Sequence, residues 1–153
     1  MPDLLLVVAL AGERVAVPAA EVESVVEIER LTPVPGAAAH IAGLSAVRSR
    51  VLTAIDCRAA LLPGDRVEQP RDALVVVREG HGFGLLVDFV EDVAEALGPL
   101  APVPPGLAPH WSRVVAGYVP TAGGLLLLVD IDALIAGPLA AASTFTGAVT
   151  NRG

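Results

Sequence analysis

The apolar positions of this chain fall in short runs rather than along a helical stripe. The runs are rich in Val, Leu and Ile and bounded by Gly or Pro, which is the pattern of strands. Read in order, they predict strands near residues 4–11, 14–17, 23–29, 43–48, 51–56, 72–79, 83–88, 89–95, 113–119 and 125–131. Gly12-Glu13, Gly80-His81-Gly82 and Gly123-Gly124 are the expected tight turns between neighbours. Helical stretches are brief. Residues 36–41 are Ala-rich and follow the Pro33-Val34-Pro35 break. Cys57 to Leu62 reads as one or two turns, with Asp56 as N-cap and Pro63-Gly64 as stop. Asp132 to Ile135 looks similar, with Asp130 as the matching cap. Five prolines in residues 99–109 predict a stiff, extended connector.

An internal repeat organises these strands. Gly43 to Asp56 has the same length and order as Gly117 to Asp130: strand, turn, strand, Asp. The following Cys57–Leu61 and Ile131–Ile135 also correspond. A weaker match pairs Gly12–Val25 with Gly82–Val93 if a two-residue indel is allowed. The expected organisation is one domain over residues 1–138, with repeat units at about 12–62 and 82–136. Residues 139–153 are small and polar and are expected to form a flexible tail. Five short twisted strands per copy close readily into a small barrel, which removes exposed edges. The expected fold class is therefore all-β, with two pseudo-symmetric five-stranded β-barrels and a few short helices. Two barrels packed together bury a shared apolar face, which accounts for a hydrophobic content of 54%.

Composition narrows the function. The 153 residues include no lysine; all ten basic residues are Arg, and the net charge is −7. This excludes a Walker-A loop, a Schiff-base lysine and a Ser-Lys pair. The negative balance argues against nucleic acid and anionic lipid as partners. The longest apolar run, Leu4 to Ala11, has eight residues, well short of the roughly 20 of a membrane span, so no direct membrane insertion is expected. That run follows Asp3 rather than a basic segment, so it does not read as a signal peptide, and the expected location is cytoplasmic. A single cysteine excludes an internal disulfide framework and fits a reducing compartment.

No cofactor and no metal site are expected. His40, His81 and His110 lack ligand spacing and read as surface or loop residues. Cys57, at a strand-to-helix junction, reads as a small buried residue. Asp56, Asp88 and Asp130 each end an apolar strand and invite comparison with an aspartyl dyad. Their flanks, Cys57-Arg58 and Ile131-Asp132, lack the Thr/Ser-Gly of aspartic proteases, so capping and turn-pinning are the expected roles. A small β-barrel carboxylate hydrolase remains the rival, and it needs two carboxylates about 5–10 Å apart on one pocket. Arg48-Ser49-Arg50, at a turn between apolar strands, is the most distinctive charged feature. It reads either as a solvated turn or as a guanidinium fork for a partner's carboxylates or carbonyls. Val22, Val25 and Val26 are the candidate apolar surface beside it, against plain core burial for at least one of them.

These segments together resemble the CheW family. The resemblance runs through Val15-Ala16-Val17-Pro18, Val22-Glu23-Ser24-Val25-Val26, Thr32-Pro33-Val34-Pro35, Ile41-Ala42-Gly43-Leu44 and Val51 to Arg58. It continues through Gly84-Leu85-Leu86-Val87-Asp88 and Leu127-Leu128-Val129-Asp130, covering about residues 4–136. It implies two intertwined five-stranded barrels and a non-catalytic cytoplasmic adaptor. The implied partners are a chemoreceptor signalling tip, held between the barrels, and the regulatory domain of a CheA-type histidine kinase. The alternative is a generic interaction module of another two-component pathway. The family's Asn-Leu-Arg-Gly turn falls on Ala46-Val47-Arg48-Ser49, so Arg48 matches while Ala46 and Ser49 do not. Ser24 stands where the family has Glu, and Asp56 and Arg58 match. The receptor-facing set implied is Arg48, Val22, Val25, Val47 and Val87; the kinase-facing residues are left unknown. Without Gly at 49 the tight turn is expected to change, because Ser is less at ease at positive φ.

Overall fold

The computed structural model describes residues 3–68 and 71–138. The expected tail at 139–153 lies outside them. Ten strands form: β1 (Leu4–Leu10), β2 (Glu13–Pro18), β3 (Ser24–Ile28), β4 (Ile41–Val47), β5 (Arg50–Asp56), β6 (Arg71–Arg78), β7 (His81–Val87), β8 (Phe89–Glu95), β9 (Val115–Thr121) and β10 (Gly124–Val129). Among the described residues three short α-helices join them: α1 (Cys57–Leu61), α2 (Pro109–Ser112) and α3 (Ile131–Ala136).

The strands build two five-stranded sheets, in the orders β8-β1-β2-β10-β9 and β3-β6-β7-β5-β4. Adding five to each strand number of the first half gives its counterpart in the second. The pairings obey this rule: β1–β2 and β6–β7 are antiparallel hairpins, while β2–β10 and β7–β5 are the parallel contacts. Each half gives two strands to one sheet and three to the other, so the halves are intertwined. The structure also corrects the weaker repeat match. Leu6 pairs with Val93 as Leu74 pairs with Val25, which aligns Gly12 with Gly80 rather than Gly82 and removes the indel. Each unit thus begins one strand earlier than the sequence suggested, at β1 and β6.

Both sheets close on themselves. Beyond β3, Thr32 exchanges two 2.8 Å backbone hydrogen bonds with Leu44 of β4, the opposite edge. Beyond β8, Leu97 donates to Pro120 of β9 at 2.8 Å, and Ala101 exchanges bonds with Tyr118. Two glycines make this approach possible. A Cβ on Gly43 would lie 2.5 Å from the Thr32 oxygen, and one on Gly117 would lie 2.1 Å from the Ala101 oxygen. The edges expected of open sheets are thereby paired. We call the sheet holding β1 barrel A and the other barrel B.

Three apolar clusters result. Leu5, Val7, Ala16, Val119 and Leu126 fill barrel A, and Ile28, Ala54, Val67, Ala73 and Leu86 fill barrel B. The largest cluster lies between them, where Val8, Val15, Ile55, Leu85, Trp111 and Leu134 meet. α1 and α3 pack against each other there, at the pseudo-twofold axis.

Two local expectations fail. Residues 36–40 form turns and loop and Ile41 opens β4, so there is no helix; Gly36 sits at φ 78°, and Ala37 donates back to Val34 between two prolines. The connector at 99–109 is not extended throughout, because Pro109 opens α2, a place where its missing N–H costs nothing.

Candidate interaction surface

The β4–β5 hairpin forms the candidate site. Val47 and Arg50 flank a two-residue turn in which Arg48 (φ 51°) and Ser49 (φ 66°) are both left-handed. This is the backbone that matches strand twist, and it is usually filled by Asn-Gly. The expectation that the turn must change without glycine is therefore corrected: the turn is kept, and Ser49 accepts a strained conformation. The turn is anchored to β3 because Arg50 Nη2 donates to Glu23 Oε1 at 2.6 Å. Both partners are exposed, so the pair contributes only about 0.2–1 kcal/mol. Arg48 is exposed and makes no ion pair among the described residues.

The turn overhangs one end of barrel B. Ser24, Val47, Arg48, Arg50, Leu52 and Val75 line a cleft of about 260 Å³ there. Val47 is half-buried at its wall. Val25 is 43% exposed on the outward face of β3, since Ser24, Val26 and Ile28 alternate with it toward the barrel interior. Val22 is half-buried against the shared core, and Val26 against the core of barrel B. Val87 must be withdrawn from the surface set. It is 2% exposed, on a strand flanked by β6 and β5 and facing the shared core. Val51, 56% exposed, was missed by the sequence reading. The alternation that buries Leu52 already places Val51 outside.

Barrel A has a matching end. Val7, Asp92, Thr121, Ala122, Gly123 and Leu126 line a cleft of about 350 Å³. These are the repeat counterparts of Val75, Ser24, Val47, Arg48, Ser49 and Leu52. Similar in origin, the two ends differ in charge: Ala122 replaces Arg48, and Asp92 replaces Ser24. Leu4, Val93, Leu97 and Leu125 are more than half exposed on barrel A.

The three strand-end carboxylates are all engaged. Asp56 accepts from Ala59 N at 3.1 Å, capping α1, and from Val67 N at 3.1 Å. Burial pushes its carboxyl above the ordinary range, against the opposing pull of those amides and Arg66. Asp130 accepts from Ala133 N at 3.3 Å, capping α3. Asp88 accepts from Ala11 N at 2.8 Å and from Arg58 Nη1 at 3.0 Å, and Arg58 also bonds Asp65. Cys57 is fully buried, and burial raises its thiol far above the usual value, which leaves it unreactive.

His40 departs from expectation. It is buried, not on a surface helix, and its Nε2 lies 2.8 Å from the Ile135 oxygen, at the end of α3. Gly137 admits the ring; a Cβ there would come within 2.5 Å of it. Among the described residues no three His, Cys, Asp or Glu side chains group as metal ligands, and no helix is long and apolar enough to cross a membrane.

Comparison with known proteins agrees with this architecture. The family model described as CheW-like domain matches residues 4–138. No curated protein matches the chain. The crystal structure of the scaffolding protein TtCheW from Thermoanaerobacter tengcongensis superposes with a TM-score of 0.72, at 24% identity over 84% of each chain. That identity speaks for the fold alone. With the model spanning both barrels, the chain belongs to the CheW-like domain family.

Proposed function

We propose that this protein is a non-catalytic adaptor of chemotaxis-type signalling, coupling a chemoreceptor signalling tip to a CheA-type histidine kinase. The observation that carries this reading is an exposed Arg48 at a barrel end, unpaired among the described residues, within a chain whose residues 4–138 match the CheW-like domain. A receptor tip is a helical hairpin, and a cleft flanked by apolar side chains and one free guanidinium suits it: apolar anchors give area, and Arg gives directional bonds to carboxylates or carbonyls. Val25, Val47 and Val51 supply the apolar neighbours, with Val22 inward of them. The acidic, leucine-rich end of barrel A is assigned to the kinase's regulatory domain. Two different ends let one rigid body hold both partners in a fixed geometry, and no bond need be made or broken. The rival reading, a carboxylate hydrolase using two of Asp56, Asp88 and Asp130, loses support, since each of them is engaged in capping or pinning the backbone.

Isothermal titration of the full chain with a receptor-tip hairpin, and separately with the kinase regulatory domain, tests the proposal. Saturable binding on the order of tens of micromolar or tighter is expected for each. Binding to neither would remove the adaptor reading.

A further inference from the structure

The end of barrel B opposite the Arg48 turn holds a second cleft, of about 540 Å³. It lies where Glu29, Arg30 and Thr32 leave β3 and where Arg71 enters β6, beside Arg66 and Val67. Three of the chain's ten arginines meet there, although the protein is strongly acidic overall.

Arg71 is the informative one. Its Nε and Nη1 are buried and have no hydrogen-bond partner among the described residues. Its Nε–H shares an edge with Nη2–H, the edge that binds two oxygens of a carboxylate or phosphoryl group side by side, while Nη1–H opens onto the neighbouring edge. Native interiors seldom leave charged donors unmet. Arg30 and Arg66 likewise form no side-chain ion pair among the described residues. Two carboxylates share the cleft. The oxygens of Asp56 are taken up by the Ala59 and Val67 amides. Glu29 sits on the exposed rim. The cleft therefore keeps an excess of positive charge.

The barrel itself does not require these arginines. Its counterpart cleft on barrel A, about 660 Å³, is lined by Leu4, Pro99 and Leu100, with Asp3 where barrel B has Arg71 and Gly98 where it has Arg30. Both barrels close by the same backbone bonds.

We propose that the cleft is an oxyanion site that takes the phosphoryl group of a phosphomonoester. Arg71 receives two oxygens through its Nε–H and Nη2–H edge, while Arg30, Arg66 and the Thr32 hydroxyl serve the remainder. Three guanidiniums favour a dianion over a lone carboxylate. The volume suits a small ligand rather than a protein segment. This inference stands independently of the adaptor reading, since it uses neither barrel end assigned to a partner.

The test is an amide NMR titration of the full chain with sodium phosphate, with ionic strength held constant by sodium chloride. Saturable shifts at Thr32, Val67 and Arg71, half-complete at about millimolar phosphate or below, are expected. R71Q should weaken binding at least tenfold and R30A severalfold, while R14A, on barrel A, should leave it unchanged. Because R71Q changes a partly buried position, R30A at the rim decides the matter if R71Q does not fold. Free phosphoserine and a phosphoserine peptide separate the sources: equal affinity identifies a small phosphomonoester, and tighter peptide binding a modified protein. Shifts that rise linearly with phosphate, or that persist unchanged in the folded variants, would overturn the proposal.

Discussion

Replacing Ser49 by glycine should stabilise this protein, which is unusual for a single substitution. Three hairpin turns of the fold differ at one position. Ala11-Gly12 (φ 52° and 85°) and Glu79-Gly80 (φ 52° and 80°) place glycine at the second left-handed position. Arg48-Ser49 (φ 51° and 66°) places a serine there. A side chain in that region costs about 1–2 kcal/mol, from the approach of Cβ to the following carbonyl oxygen. Glycine removes that strain but gives the unfolded chain more freedom, which offsets about 0.4–1 kcal/mol. The net gain is about 0.5–1 kcal/mol, equivalent to a rise in Tm of about 1–4 °C for a chain of this size. Among the described residues Ser49 makes no side-chain hydrogen bond that the substitution would remove. Urea denaturation followed by circular dichroism measures the difference, and Gly80→Ser is the mirror experiment, with a loss of similar size. An unchanged or lower midpoint for S49G, with G80S also neutral, would show that the turn is not strained in solution.

Three further outcomes follow from the same structure. Arg48→Ala should leave stability within about 0.5 kcal/mol, because the side chain is exposed and unpaired; its affinity for a receptor tip should fall about tenfold, and titration with unchanged affinity would strip Arg48 of its role. Gly117→Ala should be severely destabilising or block folding, since its Cβ would lie 2.1 Å from the Ala101 oxygen that closes barrel A; a Tm within a degree or so of the parent would contradict the closure. Asp56 has a raised carboxyl pKa in the fold, so the native state holds this proton more tightly than the unfolded chain. Its contribution is therefore fully present below about pH 4, the unfolded value, and is lost as pH rises through the folded pKa. Relative to Asp56→Asn, the parent should lose stability as pH climbs from about 4, as measured by urea midpoints across that range; a flat or rising difference would show that hydrogen bonding outweighs burial.

Much of the fold was legible because its signals are local. Alternation and Gly/Pro punctuation located all ten strands, and the equal spacing of Gly43–Asp56 and Gly117–Asp130 revealed the pseudo-symmetry. Which strands pair was not legible, since the exchange of β1–β2 and β6–β7 between sheets is decided by contacts far apart in sequence. Residues 36–41 misled because alanine content suggested a helix, whereas the flanking prolines and the closing pair Thr32–Leu44 impose turns. Val87 misled for a related reason. Strand alternation gives two faces but does not say which one meets the second barrel. His40 looked like a surface residue because nothing local announces Gly137, nearly a hundred positions on, as the gap that admits its ring. The charge of the candidate surface was half legible: Arg48 and Arg50 stood out together, but only the structure pairs Arg50 with Glu23 and leaves Arg48 free among the described residues.

The central claim is that one rigid body with two unlike ends holds two partners at once. Sedimentation velocity on a mixture of this protein, a receptor-tip hairpin and a kinase regulatory domain tests it directly. The account predicts a ternary species that contains all three and loses only the hairpin when Arg48→Ala is used. Two mutually exclusive binary complexes, or no complex at all, would contradict it.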